Sequence, residues 1–192
     1  MSPVLSGVGN DLVVWDAGPN RGSASQGRFI HRVCTPSEQA LLASSPRAEF
    51  LVWLFWAVKE SAYKFVSRVH PTVFSPCRLE VAVSPDELEG TVCFEGEHWP
   101  WRASERDGWV HAWVTANEQQ LSRVQHRVEP LSGPESEGVR LLALSLLTQL
   151  GTRVDRIEGR PPIAFCGAQK VAGCLSLSHD EGYGAVAWLP EF

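Results

Sequence analysis

FWAVKESAYKFV, residues 55–66, decides how this chain is read. It continues an apolar run, FLVWLFWAV from Phe50 to Val58, with the composition of a helix packed into a core. Into that run the sequence sets Lys59, Glu60 and Lys64. On a helix, Glu60 and Lys64 stand one turn apart on the same face. An i,i+4 surface salt bridge is the ordinary reason for that spacing, so the pair has to be weighed against the rest of the chain.

The chain has 192 residues, a formal net charge of −5 and 44% hydrophobic content. That suits one large domain or two small ones, with enough length to bury a core. The mildly acidic balance argues against general nucleic-acid binding, although the basic cluster RFIHR at 28–32 offers a local docking point for an acidic partner. Five cysteines, with no CxxC or Cys/His ligand spacing, fit reduced thiols and a cytoplasmic protein. The start, MSPVLSGVGND, lacks a basic region and meets Asp11 before any long apolar run, so no signal peptide is expected. The Phe50–Val58 run is too short to span a membrane.

Working outward, GVGNDLVVW at 7–15 reads as a strand entered through glycines, and GPNRGSASQG at 18–27 as a loop. TPSEQALLAS predicts a helix start, with Thr35 as N-cap, Pro36 at the first position and Glu38 completing a capping box. A long helix follows from about Ala48 to Val66 and is ended by the Pro71 region. CRLEVAV, GTVCFEG, WPWRA and GWVHAWVT then read as strands. The polar stretch 118–137 reads as a linker, EGVRLLALSLLTQLG as an amphipathic helix stopped at Gly151, and RPPIAFC, CLSLSH and GYGAVAWL as strands. DGWVHAWVTAN (107–117) and EGYGAVAWLPE (181–191) echo each other, which is consistent with two related half-domains or with two similar hairpins.

Four features carry chemistry: Asp11 in the first strand, Glu60 with Lys64 on the long helix, Arg160 in the GRPP turn, and Ser178-His179 in SLSHD. Two carboxylates far apart in sequence can share Mg²⁺, an ion usually completed by water and substrate phosphates. Lysine, arginine and histidine beside it suit phosphoryl-type transfer. Ser178 and His179 are no catalytic dyad, because strand neighbours point to opposite faces. GVGND lacks the third glycine and the following helix of a dinucleotide fingerprint.

Together these residues resemble the 4′-phosphopantetheinyl transferases, whose signatures are a G-x-D strand and a W/F-x-x-K-E-x-x-x-K helix. Here they read Gly9-Asn10-Asp11 and Trp56-Ala57-Val58-Lys59-Glu60-Ser61-Ala62-Tyr63-Lys64. RFIHRVCTPSE at 28–38 looks like the segment between them, and GRP and SLSH stand where the family has G-K-P and N/S-L-S-H. The resemblance implies an α+β fold of that family. The motif order suggests a pseudo-dimer of two half-domains in swapped order, 1–117 and 138–192, joined by the linker 118–137. Such a chain would be a monomer. A homotrimeric small synthase with an insertion after residue 84 is the competing layout.

The resemblance further implies transfer of 4′-phosphopantetheine from coenzyme A to a serine of an apo carrier protein, as in fatty acid or polyketide biosynthesis, releasing 3′,5′-ADP. Asp11 and Glu60 would bind Mg²⁺, with Mn²⁺ as a substitute, and Glu60 and Lys64 would be catalytic. Arg160, Ser178, His179 and Arg140 would hold coenzyme A, while Arg28 and Arg32 would dock the carrier protein. Many larger members carry a second acid two residues after the motif aspartate, where this chain has Val13. The alternative is a non-catalytic relative that binds coenzyme A or a carrier protein.

Overall fold

The computed structural model describes residues 6–22, 27–68, 72–84, 86–147, 153–155 and 161–191. Arg160, Gly151 and Pro71 lie outside them.

The apolar run forms α3 (Ala48–Val66), as its composition predicts. Residues Phe50 to Phe55 are all buried, so the helix is covered on more than one face. On one side it packs against an antiparallel sheet built from β1 (Val8–Val14), β2 (Glu80–Val83), β3 (Glu89–Phe94), β4 (Glu97–Arg106) and β5 (Trp109–Thr115). The strand order is β1-β5-β4-β3-β2. On the other side lie α1 (Gly27–Val33) and α2 (Pro36–Ser44). The expected capping box opens α2: Thr35 Oγ1 accepts from Glu38 N, and Glu38 Oε2 accepts from Thr35 N. The helix α1 lies next to a stretch read as loop, and its lone buried residue, Val33, leaves little periodicity to detect.

After a short α4 (Glu118–Leu121) come β6 (Gln125–Pro130), α5 (Glu135–Leu146) and β7 (Arg153–Asp155). Next are β8 (Ile163–Cys166), β9 (Gln169–Lys170), β10 (Gly173–Asp180) and β11 (Tyr183–Pro190). Within the stretch read as a linker, β6 pairs antiparallel with β11, giving a sheet of order β10-β11-β6. As an edge strand with only Val128 partly covered, β6 has the polar sequence of a linker. A small β7-β8-β9 sheet completes the second half.

Four hydrophobic clusters result, two of them large. One joins α3 to the five-stranded sheet, and the other gathers Val139, Leu142, Ala143 and Leu147 with Leu175, Val186 and Trp188. Where the five-stranded sheet meets β10 and β11, alternation along β1 divides its side chains. Gly9 and Val13 face α3, while Leu12 and Val14 join Trp109 and Ala185 in a separate cluster. Hence every residue of β1 is buried.

The two echoing segments both begin at two-residue turns with positive φ at each position: Asp107-Gly108 (50° and 82°) and Glu181-Gly182 (46° and 79°). These are type I′ hairpin signatures. Glu95-Gly96, between β3 and β4, repeats the pattern at 53° and 85°. The acid–glycine part of the echo therefore coincides with type I′ hairpin turns. All five cysteines are free thiols. No helix among the described residues is long and apolar enough to cross a membrane.

Candidate active site between β1, α3 and β10

Gly9 sets the approach of β1 to α3. A Cβ there would lie 2.0 Å from the Ser61 carbonyl oxygen and 2.6 Å from Phe65 N. Only glycine lets the strand press onto the helix backbone at that spot. Two residues on, period-2 alternation turns Asp11 to the same face, where Lys64 Nζ donates to Asp11 Oδ1 at 2.8 Å and to the Asn10 carbonyl at 3.1 Å. The local Glu60–Lys64 salt bridge is therefore replaced by a long-range pair to Asp11, whose residue is only 6% exposed.

Lys59 turns elsewhere. Its ammonium, fully buried, donates to Glu38 Oε2 at 2.6 Å and to the Val33 carbonyl at 2.7 Å. Glu38 Oε1 accepts from Val81 N at 2.7 Å, so this pair ties α2, α3 and β2 together inside the core.

Strand β10 lies along the free edge of β1. Ser176 Oγ accepts from Asn10 N at 3.0 Å, Ser178 Oγ from Leu12 N at 3.2 Å, and Asp180 Oδ2 from Val14 N at 2.8 Å. Alternate side chains of SLSHD thus satisfy alternate N–H groups that β5 does not reach. Ser178 Oγ also donates to Asp11 Oδ1 at 2.7 Å. His179 points the other way, and its Nδ1 lies 3.1 Å from Glu135 Oε2 at the start of α5.

A cleft of about 430 Å³ opens over this arrangement. Asp11, Glu60, His179 and Asp180 supply its polar wall, and Phe29, Trp53 and Trp56 an aromatic one. Burial raises the Glu60 carboxyl above its ordinary value; Lys64 opposes that shift and the Asp11 charge adds to it. Asp180 is raised as well, mainly by burial and against the hydrogen bond from Val14 N.

Asp11, Glu60, Lys64, Ser178 and His179 thus meet at the seam. Arg140, half-buried on α5, does not line the cleft. Arg28 and Arg32 are exposed one turn apart on α1, flanking Phe29, which does. Sequence reasoning missed Asp180, Asn20, which donates to Asp180 Oδ2 at 3.0 Å, and Glu135. Alternation within SLSHD could have found Asp180, since it shares the face of Ser178.

The donors suit a hard divalent cation: two carboxylates within electrostatic reach of each other at a polar cleft. Contacts to Asp11 among the described residues fall on Oδ1, leaving Oδ2 for a ligand. No set of three or more His, Cys, Asp or Glu side chains among them gathers as a metal cage, so such an ion would draw further ligands from water or substrate.

No curated protein sequence matches the chain. Solved structures that resemble it include two holo-[acyl-carrier-protein] synthases. Holo-[acyl-carrier-protein] synthase of Helicobacter pylori, in complex with coenzyme A, is 20% identical over 56% of this chain and 97% of its own, with a TM-score of 0.45. The Thermotoga maritima holo-[acyl-carrier-protein] synthase is 18% identical over 86% of this chain and 84% of its own, with a TM-score of 0.46. A sequence profile of the 4′-phosphopantetheinyl transferase superfamily matches residues 7–117, more than half of the chain and the part that carries Asp11, Glu60 and Lys64. By that match, the chain belongs to the 4′-phosphopantetheinyl transferase superfamily.

Proposed function

We propose that this protein transfers the 4′-phosphopantetheine arm of coenzyme A to a serine hydroxyl of an apo carrier protein, with Mg²⁺, releasing 3′,5′-ADP. The observation that carries the reading is that Asp11 of β1 and Glu60 of α3 line one cleft, with Lys64 of α3 paired to Asp11 at 2.8 Å beside it. The serine oxygen forms a bond to the pyrophosphate phosphorus next to pantetheine, and the bond to the 3′,5′-ADP oxygen breaks. Glu60 takes the serine proton, and its raised proton affinity suits a base. Lys64 supplies positive charge beside the departing phosphate. Mg²⁺, or Mn²⁺ in its place, would be held by Asp11 and Glu60 and would supply Lewis-acid charge to the pyrophosphate.

His179 lines the cleft and takes the nucleotide end of coenzyme A in this reading. Arg160 keeps its proposed part at the 3′-phosphate from the sequence alone. Arg140 has no support from the cleft's lining and is the weakest of the set. Arg28 and Arg32 present an exposed positive face beside the cleft, which suits an acidic carrier protein. The two largest cores, each a sheet backed by a helix, support two half-domains in one chain and a monomer as the assembly; of the stretch 118–137 read as their connection, β6 and the start of α5 belong to the second of them.

The test is incubation with fluorescent-pantetheine coenzyme A and a panel of apo carrier proteins, with Mg²⁺ or EDTA. Labelling of a carrier serine that EDTA abolishes is the expected result. Coenzyme A binding without labelling of any carrier would mark a non-catalytic relative, and absence of both would overturn the reading.

A further inference from the structure

We infer that Ser178 is a positioning residue for Asp11 and not a grip for coenzyme A. The inference rests on the reading of Asp11 as a metal-facing carboxylate. A serine hydroxyl has one hydrogen to give. Here that hydrogen goes to Asp11 Oδ1 at 2.7 Å, while the oxygen accepts from Leu12 N at 3.2 Å. A phosphate offers only acceptors, so Ser178 could hold one only by releasing Asp11. The residue is also 8% exposed and is not part of the cleft's lining.

What the bond does follows from its place. Lys64 and Ser178 approach the same oxygen of Asp11 from different elements, α3 and β10. Two donors on Oδ1 fix the carboxylate's rotation and turn Oδ2 toward a ligand. The contact also reaches across the seam, so the geometry of Asp11 depends on β10 being seated on β1. Ser176 provides an internal control: it makes the same kind of bond to the edge of β1, at Asn10 N, and has no described contact with Asp11.

The experiment compares wild type, Ser178→Ala, Ser178→Thr and Ser176→Ala. Mn²⁺ affinity is read by electron paramagnetic resonance without coenzyme A. The preference for coenzyme A over 3′-dephospho-coenzyme A is read by calorimetry, and a crystal structure of Ser178→Ala is determined. Expected are roughly 10- to 100-fold weaker Mn²⁺ binding in Ser178→Ala, as is usual when a partner of a metal ligand is lost, near-wild-type binding in Ser178→Thr and Ser176→Ala, and an unchanged preference for the 3′-phosphate. A collapse of that preference in Ser178→Ala with Mn²⁺ binding intact would overturn the inference, as would equal Mn²⁺ losses in the two alanine variants. If wild type binds no Mn²⁺, the metal reading fails, and the crystal structure decides the rest. An Asp11 carboxylate that has left its place sustains the positioning role, and one that has not moved refutes it.

Discussion

Lys59 and Lys64 sit five positions apart on α3, and each holds a carboxylate, yet the two pairs are built in opposite ways. Lys59 and Glu38 are sealed, with side chains 0% and 1% exposed, and both Glu38 oxygens are occupied by Lys59 and the N–H groups of Thr35 and Val81. Lys64 and Asp11 stand at the edge of a cleft, and only one oxygen of Asp11 is engaged by described residues. A charge pair closed on itself can only hold elements together. One that leaves an oxygen and a solvated side open can bind and release something. The difference teaches why one short motif carries both kinds: helical rotation sends Lys59 into the core and sends Glu60 and Lys64 to the seam.

The largest expected effect falls on the open side. Glu60→Gln keeps the shape and removes the proposed base, and transfer should fall about 10²- to 10⁴-fold, measured as carrier-protein labelling, with thermal stability close to wild type. On the closed side, Lys59→Met leaves Glu38 buried without its cation. Removing one partner of a buried pair typically costs about 3–5 kcal/mol, to be read from urea unfolding. Adding Glu38→Gln should recover part of it, and a double variant no more stable than the single would deny that the pair is closed.

Gly9→Ala sharpens the comparison from the strand side. Its methyl would strike backbone atoms of α3, so β1 must move, at a cost of about 1–3 kcal/mol. Transfer should fall further than stability, because Asp11 moves with the strand. Wild-type transfer in this variant would mean that the close approach serves packing alone.

The smallest effect is a pH dependence. His111 is fully buried behind β1, with Nε2 2.9 Å from Asn10 Nδ2, and burial lowers its pKa well below the ordinary 6.5. A depressed base of this kind contributes stability that is complete above the unfolded value and is lost as pH falls through it, because the unfolded chain takes up a proton that the folded one refuses. Below about pH 6.5 the loss should approach about 1.4 kcal/mol per pH unit for this group. Urea midpoints at stepped pH should show a shallower decline in His111→Gln, and an unchanged slope would contradict the assignment.

Much of this was legible in the chain. The run Phe50–Val58 marked α3, and the Thr35–Glu38 capping box marked α2, because both signals are local. Asp11, Glu60 and Lys64 were found because their residue types and spacing are distinctive. What escaped depended on distant partners. Glu38 was visible as a capping residue, but its bond to Lys59 joins positions 21 apart and is settled only by how α2 lies on α3. Strand β6 read as a linker because an exposed edge strand is polar, and its partner β11 lies more than fifty residues away. Asp180 was passed over although alternation placed it with Ser178, because only the packing of β10 on β1 reveals that it accepts from Val14 N and reaches the cleft.

The most direct test of the two-pair account sets Lys64→Met beside Lys59→Met, measuring melting temperature and labelling per folded molecule on the same preparations. Lys64→Met should lose most of its transfer with the smaller loss of stability, since water in the cleft can solvate Asp11. Lys59→Met should lose the most stability yet keep transfer in its folded fraction. Retained transfer in Lys64→Met, or none in fully folded Lys59→Met, would contradict the division of one helix into a structural charge and a chemical one.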